Sequence, residues 1–221
     1  MLNAWPAKKF QFIGGDLCLD FCNTVGGKRG AATREYLSAY IDLLSWSRQA
    51  GLMDQAHAQA LAMAATRRPG EAARVLTRAI ELREAFYRIF VALLKSKLPS
   101  KDDLARLNSE LAQALGRLRV TVAKGPNRFA WHWAVNGALD YPLGPLARSA
   151  ADLLTAEHFA GWLRQCCGDT CGWLFLDASK NRSRRWCDMR DCGNRAKVRR
   201  HRLKQSRLQT PKLQARQKAG K

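Results

Sequence analysis

The chain has 221 residues, room for one ordinary domain and a small one, and 47% of them are apolar, so most of it can bury a core. Lys and Arg number 38 against 18 Asp and Glu, and the net charge of +20 favours an anionic polymer or surface as partner. No apolar run approaches the ~20 residues of a membrane span. The opening residues carry no apolar signal core, so the expectation is a cytoplasmic protein with no membrane partner.

In chain order, Phe10 to Gly15 reads as a short strand closed by a glycine turn, and Leu17 to Cys22 as one or two helical turns packed on a core. Thr33 is placed to cap a helix over 34–50, and Asp54 a short alanine-rich helix to about Thr66. Pro69-Gly70 breaks the pattern. A long amphipathic helix is expected from Glu71 to Lys95, and Ser100 with Asp103 resembles a capping box before another. The period then switches to two. Leu118, Val120 and Val122, then Phe129, Trp131 and Trp133, predict a β-hairpin with one apolar face, expected to be core rather than a small-molecule pocket. A helix over 146–165 is expected to hand the chain directly to a cysteine pair. The fold class is mainly α: a helical domain, 1–163, with a short hairpin, a small finger with a basic helix, 164–209, and a disordered basic tail, 210–221.

Cys166 and Cys171 have four residues between them, as do Cys187 and Cys192, and the two pairs flank residues 172–186. In a reducing compartment, paired cysteines at this spacing point to a four-thiolate zinc site rather than to disulfides. Cys167 competes with Cys166 as first ligand; Cys166 is preferred because it makes the pairs equal. Gly172 and Gly193, each directly after a cysteine, suit turns that need positive φ. A unit of this size cannot fill a core alone, so a metal staple makes physical sense.

Residues 178–221 hold 16 Lys and Arg against 2 acids, so most of the charge excess lies in the last fifth of the chain. Asn194 is a good N-cap for a helix over 195–208 with Ala196, Val198, Leu203 and Leu208 as its apolar anchors. Arg182, Arg184, Arg185, Arg195, Lys197, Arg199, Arg200, Arg202 and Lys204 are the candidate nucleic-acid contacts, duplex DNA before RNA, with Arg195 and Arg199 as candidate base readers. Trp173 and Phe175 read as the finger's core before they read as base-stacking platforms.

Trp173-Leu174-Phe175-Leu176-Asp177, Arg184-Arg185-Trp186-Cys187 and Cys192-Gly193-Asn194-Arg195-Ala196-Lys197 together resemble the CGNR zinc finger. The segment Phe12-x-Gly14-Gly15-x-Leu17-Cys18-Leu19-Asp20-Phe21-x-Asn23-Thr24 resembles the signature of the ABATE domain of stress-induced transcription regulators. The resemblance implies a zinc-dependent DNA-binding regulator whose helical domain senses or dimerises, so a homodimer and a small-molecule effector are open as further partners. Two alternatives remain: an RNA- or ribosome-associated zinc protein, and an enzyme or small-ligand binder using Asp20 and Asn23. For those two residues the structural reading, capping helices and pinning the turn, is preferred. No nucleotide-binding or catalytic signature is present, so the expectation is a protein that is not an enzyme.

Overall fold

Asp16 fixes the start of the helical domain: its carboxylate accepts the Cys18 N–H at 3.1 Å and the Ser149 hydroxyl at 2.6 Å. These bonds cap α1 (Leu17–Cys22) and tie it to α6 (Leu143–Thr155). The computed structural model describes residues 8–123, 125, 128–134, 137–203 and 205. A two-residue ladder, β1 (Val25–Gly26) with β2 (Arg34–Glu35), follows α1. Then come α2 (Tyr40–Gln49), α3 (Gln55–Arg67), α4 (Pro69–Leu94) and α5 (Lys101–Leu115). The hairpin β3 (Leu118–Val122) and β4 (Phe129–Trp133) leads to α6. Helix α4 is the central rod, touched by α1, α2, α3 and α5, while α6 closes the bundle against α1 and α5. Leu19, Phe21, Trp46, Phe86 and Phe90 are fully buried at its centre. Each such side chain stabilises the fold by about 1.5–3 kcal/mol relative to exposure. Among the described residues, no helix is long and apolar enough to cross a membrane.

The polar caps follow the sequence. Asp54 accepts the His57 N–H at 2.8 Å, and Ser100 Oγ the Asp103 N–H at 3.1 Å. The break expected at Pro69-Gly70 is there: α3 ends at Arg67, and Pro69 opens α4, since its missing N–H is one the first turn leaves unbonded anyway. Helix α2 starts at Tyr40, not at 34, because Asp42 reaches back to the Ser38 and Ala39 N–H groups and 34–35 is spent on β2. The buried Arg83 explains that choice: its guanidinium holds Glu35 through two bonds of 2.7 Å and Glu84 through one of 2.9 Å.

Three further expectations are corrected. Phe10 to Gly15 forms no strand; the Gly14 N–H turns into Asp20 and the Gly14 carbonyl accepts from Leu176. Helix α6 ends at Thr155, where Ala156 turns extended and His158 takes φ +65°, so 163–165 is strand rather than helix. The hairpin is not core beyond its base. Leu118 is buried and Trp133 packs on Gly144, but Val122, Phe129 and Trp131 are 80%, 67% and 60% exposed. The tail 210–221, and Lys204 and Leu208 with it, lie outside the described residues.

A candidate metal centre docked on the helical domain

Strands β5 (Leu163–Gln165) and β6 (Leu174–Leu176) pair antiparallel and form the stem of the finger. The Cys166 N–H donates to the Trp173 carbonyl at 2.8 Å, carrying the ladder one residue beyond the strands and into the first cysteine turn. A five-residue π-turn (Met189–Gly193), begun by Asp188, presents Cys192 and runs straight into α7 (194–203).

The four sulfurs of Cys166, Cys171, Cys187 and Cys192 lie within 4.8 Å of one another, and all four residues are buried. Cys171 Sγ and Cys192 Sγ are each 3.7 Å from Cys187 Sγ. A tetrahedral ion with metal–sulfur bonds of about 2.3 Å requires sulfur–sulfur edges of about 3.8 Å. A disulfide would need about 2.05 Å. The spacing therefore fits one ion held by four thiolates. The surroundings fit it too. Cys166 Sγ receives N–H groups from Gly168 and Cys187 at 3.4 Å each, and Arg195 places a guanidinium N–H 3.1 Å from Cys192 Sγ. The neighbouring Cys171 and Cys187 thiols, with these amides, hold the Cys166 thiol far below its ordinary range. The competition for first ligand is resolved: Cys167 is exposed and turned away, its N–H donating to the Arg185 carbonyl.

The glycines serve for closeness rather than for left-handed backbone, since neither Gly172 nor Gly193 has positive φ. A Cβ on Gly168 would sit 3.1 Å from Cys171 Cβ and 3.3 Å from Cys192 Sγ, inside the sulfur cage. One on Gly172 would meet the Tyr87 hydroxyl at 3.0 Å, where the finger touches the helical domain.

That contact belongs to a polar seam between the two units. Asn23 Nδ2 donates to the Leu174 carbonyl at 2.8 Å, and the Leu174 N–H returns to Asn23 Oδ1 at 2.9 Å. Trp173 Nε1 donates to the Val25 carbonyl and Gln165 Nε2 to the Tyr87 hydroxyl, both at 2.7 Å. Asp20 lies nearby, accepting the Gly14 N–H at 2.7 Å, and burial raises its carboxyl to about 6. Thus Asn23 spends its amide on the finger, and Asp20 pins the turn. Sequence reasoning missed the seam because its partners are 78 to 151 residues apart; the adjacent polar trio Asp20, Asn23 and Thr24 was its visible trace.

The candidate nucleic-acid residues divide. Arg182, Arg185, Arg195, Lys197, Arg199, Arg200 and Arg202 are exposed. Arg184 is turned inward: it donates to the Trp186 and Cys187 carbonyls, and its guanidinium lies 4.4 Å from the centre of the buried Phe175 ring. Arg195 and Arg199 are ion-paired to Asp191 and Asp169. Among the described residues, Lys197, Arg200 and Arg202 have no carboxylate partner. Val198 and Leu203 do not anchor the helix, being 50% and 52% exposed.

A helical bundle with a four-thiolate finger stitched to its edge defines a two-part protein, one part able to build its own core and the other stapled by a metal ion. The chain belongs to the ABATE family, described as "Putative stress-induced transcription regulator", which matches residues 15–157. Residues 162–205 match the CGNR zinc finger. Among curated proteins no relative matches the chain.

Proposed function

We propose that the chain is a cytoplasmic zinc-dependent transcription regulator that binds duplex DNA through its finger, and not an enzyme. In this reading the helical domain carries a signal or a dimer contact. The carrying observation is the helix that leaves the cysteine cage with Lys197, Arg200 and Arg202 exposed and unneutralised. Four thiolates select zinc among the common cytoplasmic ions. The cage fixes the start of α7, so these cations are presented from a rigid base and each can neutralise a phosphate. Arg182 and Arg185 extend the patch, held 5.3 and 5.5 Å over the rings of Trp162 and Trp186. Arg195 is better read as a neighbour of the Cys192 thiolate than as a base reader.

The test is fluorescence anisotropy of the zinc-loaded protein with labelled duplex DNA over a salt series. Binding should weaken with salt, and each cation removed from α7 should reduce the slope by about 0.9. Zinc-loaded protein that ignores duplex DNA at low salt would end this reading. Preference for structured RNA in competition would move it to an RNA- or ribosome-associated role.

A further inference from the structure

Residues 26–34 form a tight basic loop beside the finger, and neither the metal cage nor α7 accounts for it. Gly26 pairs with Arg34 across the β1–β2 ladder. Gly27 takes φ +91°, and a Cβ there would stand 2.5 Å from the Ala32 carbonyl oxygen, so the turn closes only on glycine. Arg29 locks the loop inward: its guanidinium donates to the Cys22 carbonyl at 2.7 Å, holds Glu84 through two bonds of 3.2 Å and lies 3.9 Å from the centre of the Tyr87 ring. The loop also meets the finger. Trp173 Nε1 donates to the carbonyl of Val25, where the loop begins, and a Cβ on Gly172 would stand 3.3 Å from Lys28 Cα.

With Arg29 spent inward, Lys28 and Arg34 stay exposed, and among the described residues neither has a carboxylate partner. Lys9 is a third such cation. Its backbone is clamped by the Gln49 side chain, which donates to the Lys8 carbonyl at 3.0 Å and accepts the Phe10 N–H at 3.1 Å. Lys8 itself is matched by Asp42. Lys9 and Arg34 border a cleft of about 510 Å³ between the two units, and Cys192 and Arg195, at the root of α7, border the same cleft. The two acids in its lining are engaged, Asp191 by Arg195 and the buried Asp20 by the Gly14 N–H.

We infer that the helical domain supplies a second set of phosphate contacts, Lys9, Lys28 and Arg34, so that duplex DNA is held by both units across the seam. The inference rests on the nucleic-acid reading and deepens it. The three cations stand on backbone fixed by Gln49, by Arg29 and by the β1–β2 ladder. Phosphate contacts made from fixed positions set the orientation of a bound module on the duplex. The seam ties these positions to the base of α7, so the finger's grip is extended by up to three neutralised phosphates.

The test compares variants of the zinc-loaded full chain with the parent, each by anisotropy against labelled duplex DNA over a salt series. Lys28→Gln with Arg34→Gln removes two cations of the loop, and Lys197→Gln with Arg200→Gln removes two of α7. Arg67→Gln with Arg74→Gln removes the same charge at the far end of the bundle: Arg74 lies about 20 Å along α4 from Tyr87, and Arg67 precedes that helix. The loop variant should lower the slope of log K against log salt by about 1.8, and Lys9→Gln by about 0.9, while the remote variant keeps the parent's slope. Lys9→Gln lies outside the loop and reads the same surface should the loop variant lose its fold. If the loop variant and Lys9→Gln both keep the parent's slope while the α7 variant does not, the finger binds alone and this inference falls. Equal reductions in the loop and remote variants would overturn it as a general charge effect. A parent that ignores duplex DNA ends both this inference and the reading beneath it.

Discussion

The Asn23 side chain pairs with the Leu174 backbone as one peptide group pairs with another, donating from Nδ2 and accepting at Oδ1. It extends the β5–β6 sheet by an amide contributed from the helical domain. Both partners are buried, so nothing in solvent can replace it. In Asn23→Ala the Leu174 N–H and C=O lose their partners together. Leaving such groups buried costs about 1–3 kcal/mol each. The expected loss is about 2–4 kcal/mol by urea denaturation of zinc-loaded protein. A loss below about 0.5 kcal/mol, the range of ordinary surface changes, would mean that the seam does not hold the finger.

The cysteine cage makes a sharper, stoichiometric prediction. Purified protein should carry one zinc per chain by elemental analysis, and Cys171→Ser or Cys192→Ser should abolish it. Cys167→Ser should leave the metal content intact, since that thiol faces solvent. Structural zinc supplies about 10–16 kcal/mol of apparent binding free energy in finger peptides. Chelation should therefore unfold the finger while the bundle, with its own aromatic core, keeps its helical signal. Normal zinc content in Cys192→Ser would overturn the four-ligand assignment.

The cage was legible because ligand spacing is a local property of sequence, and the caps Asp54 and Ser100 were legible for the same reason. What sequence could not give was set by distant partners. Glu35 joined a ladder instead of a helix because Arg83, in α4, captures its carboxylate. The cationic run looked uniform in sequence, yet Arg184 folds back onto carbonyls of its own turn and Arg195 and Arg199 meet acids. Alternation identified the hairpin and its apolar face correctly but not what covers that face, because period two reports which side chains align and not which neighbour they meet.

Asp20 supplies a pH signature. Burial raises its carboxyl from 3.8 to about 6 in the folded protein. Between those values the folded state holds a proton that the unfolded state has released, so stability falls as pH rises from about 4 to about 6. Above that range the penalty is constant, of order 3 kcal/mol. Asp20→Asn keeps an acceptor for the Gly14 N–H and removes the titration. The variant should equal or trail the parent near pH 4 and exceed it at pH 7–8, measured as the difference between urea curves at each pH. A difference that stays flat over this range would show that the carboxyl is not shifted.

The hairpin separates two tryptophans that sequence treats alike. Trp131 and Trp133 lie on one face of β4, opposite Val120 and Leu118. Trp133 packs against α6, where a Cβ on Gly144 would stand 3.1 Å from its ring, so the close approach there depends on glycine. Trp131 is 60% exposed and is covered on one side by the Arg148 guanidinium, 4.9 Å from its ring centre. Truncating a buried aromatic costs about 3–5 kcal/mol; Trp133 is only part-buried, so Trp133→Ala should cost about 2 kcal/mol. Trp131→Ser should stay within about 0.5 kcal/mol, as an exposed site does. Both are read from urea midpoints at unchanged slope. If Trp131→Ser proved the costlier change, the outer half of the hairpin face would have to be covered in solution, and sedimentation of the parent protein would show a dimer that the variant loses.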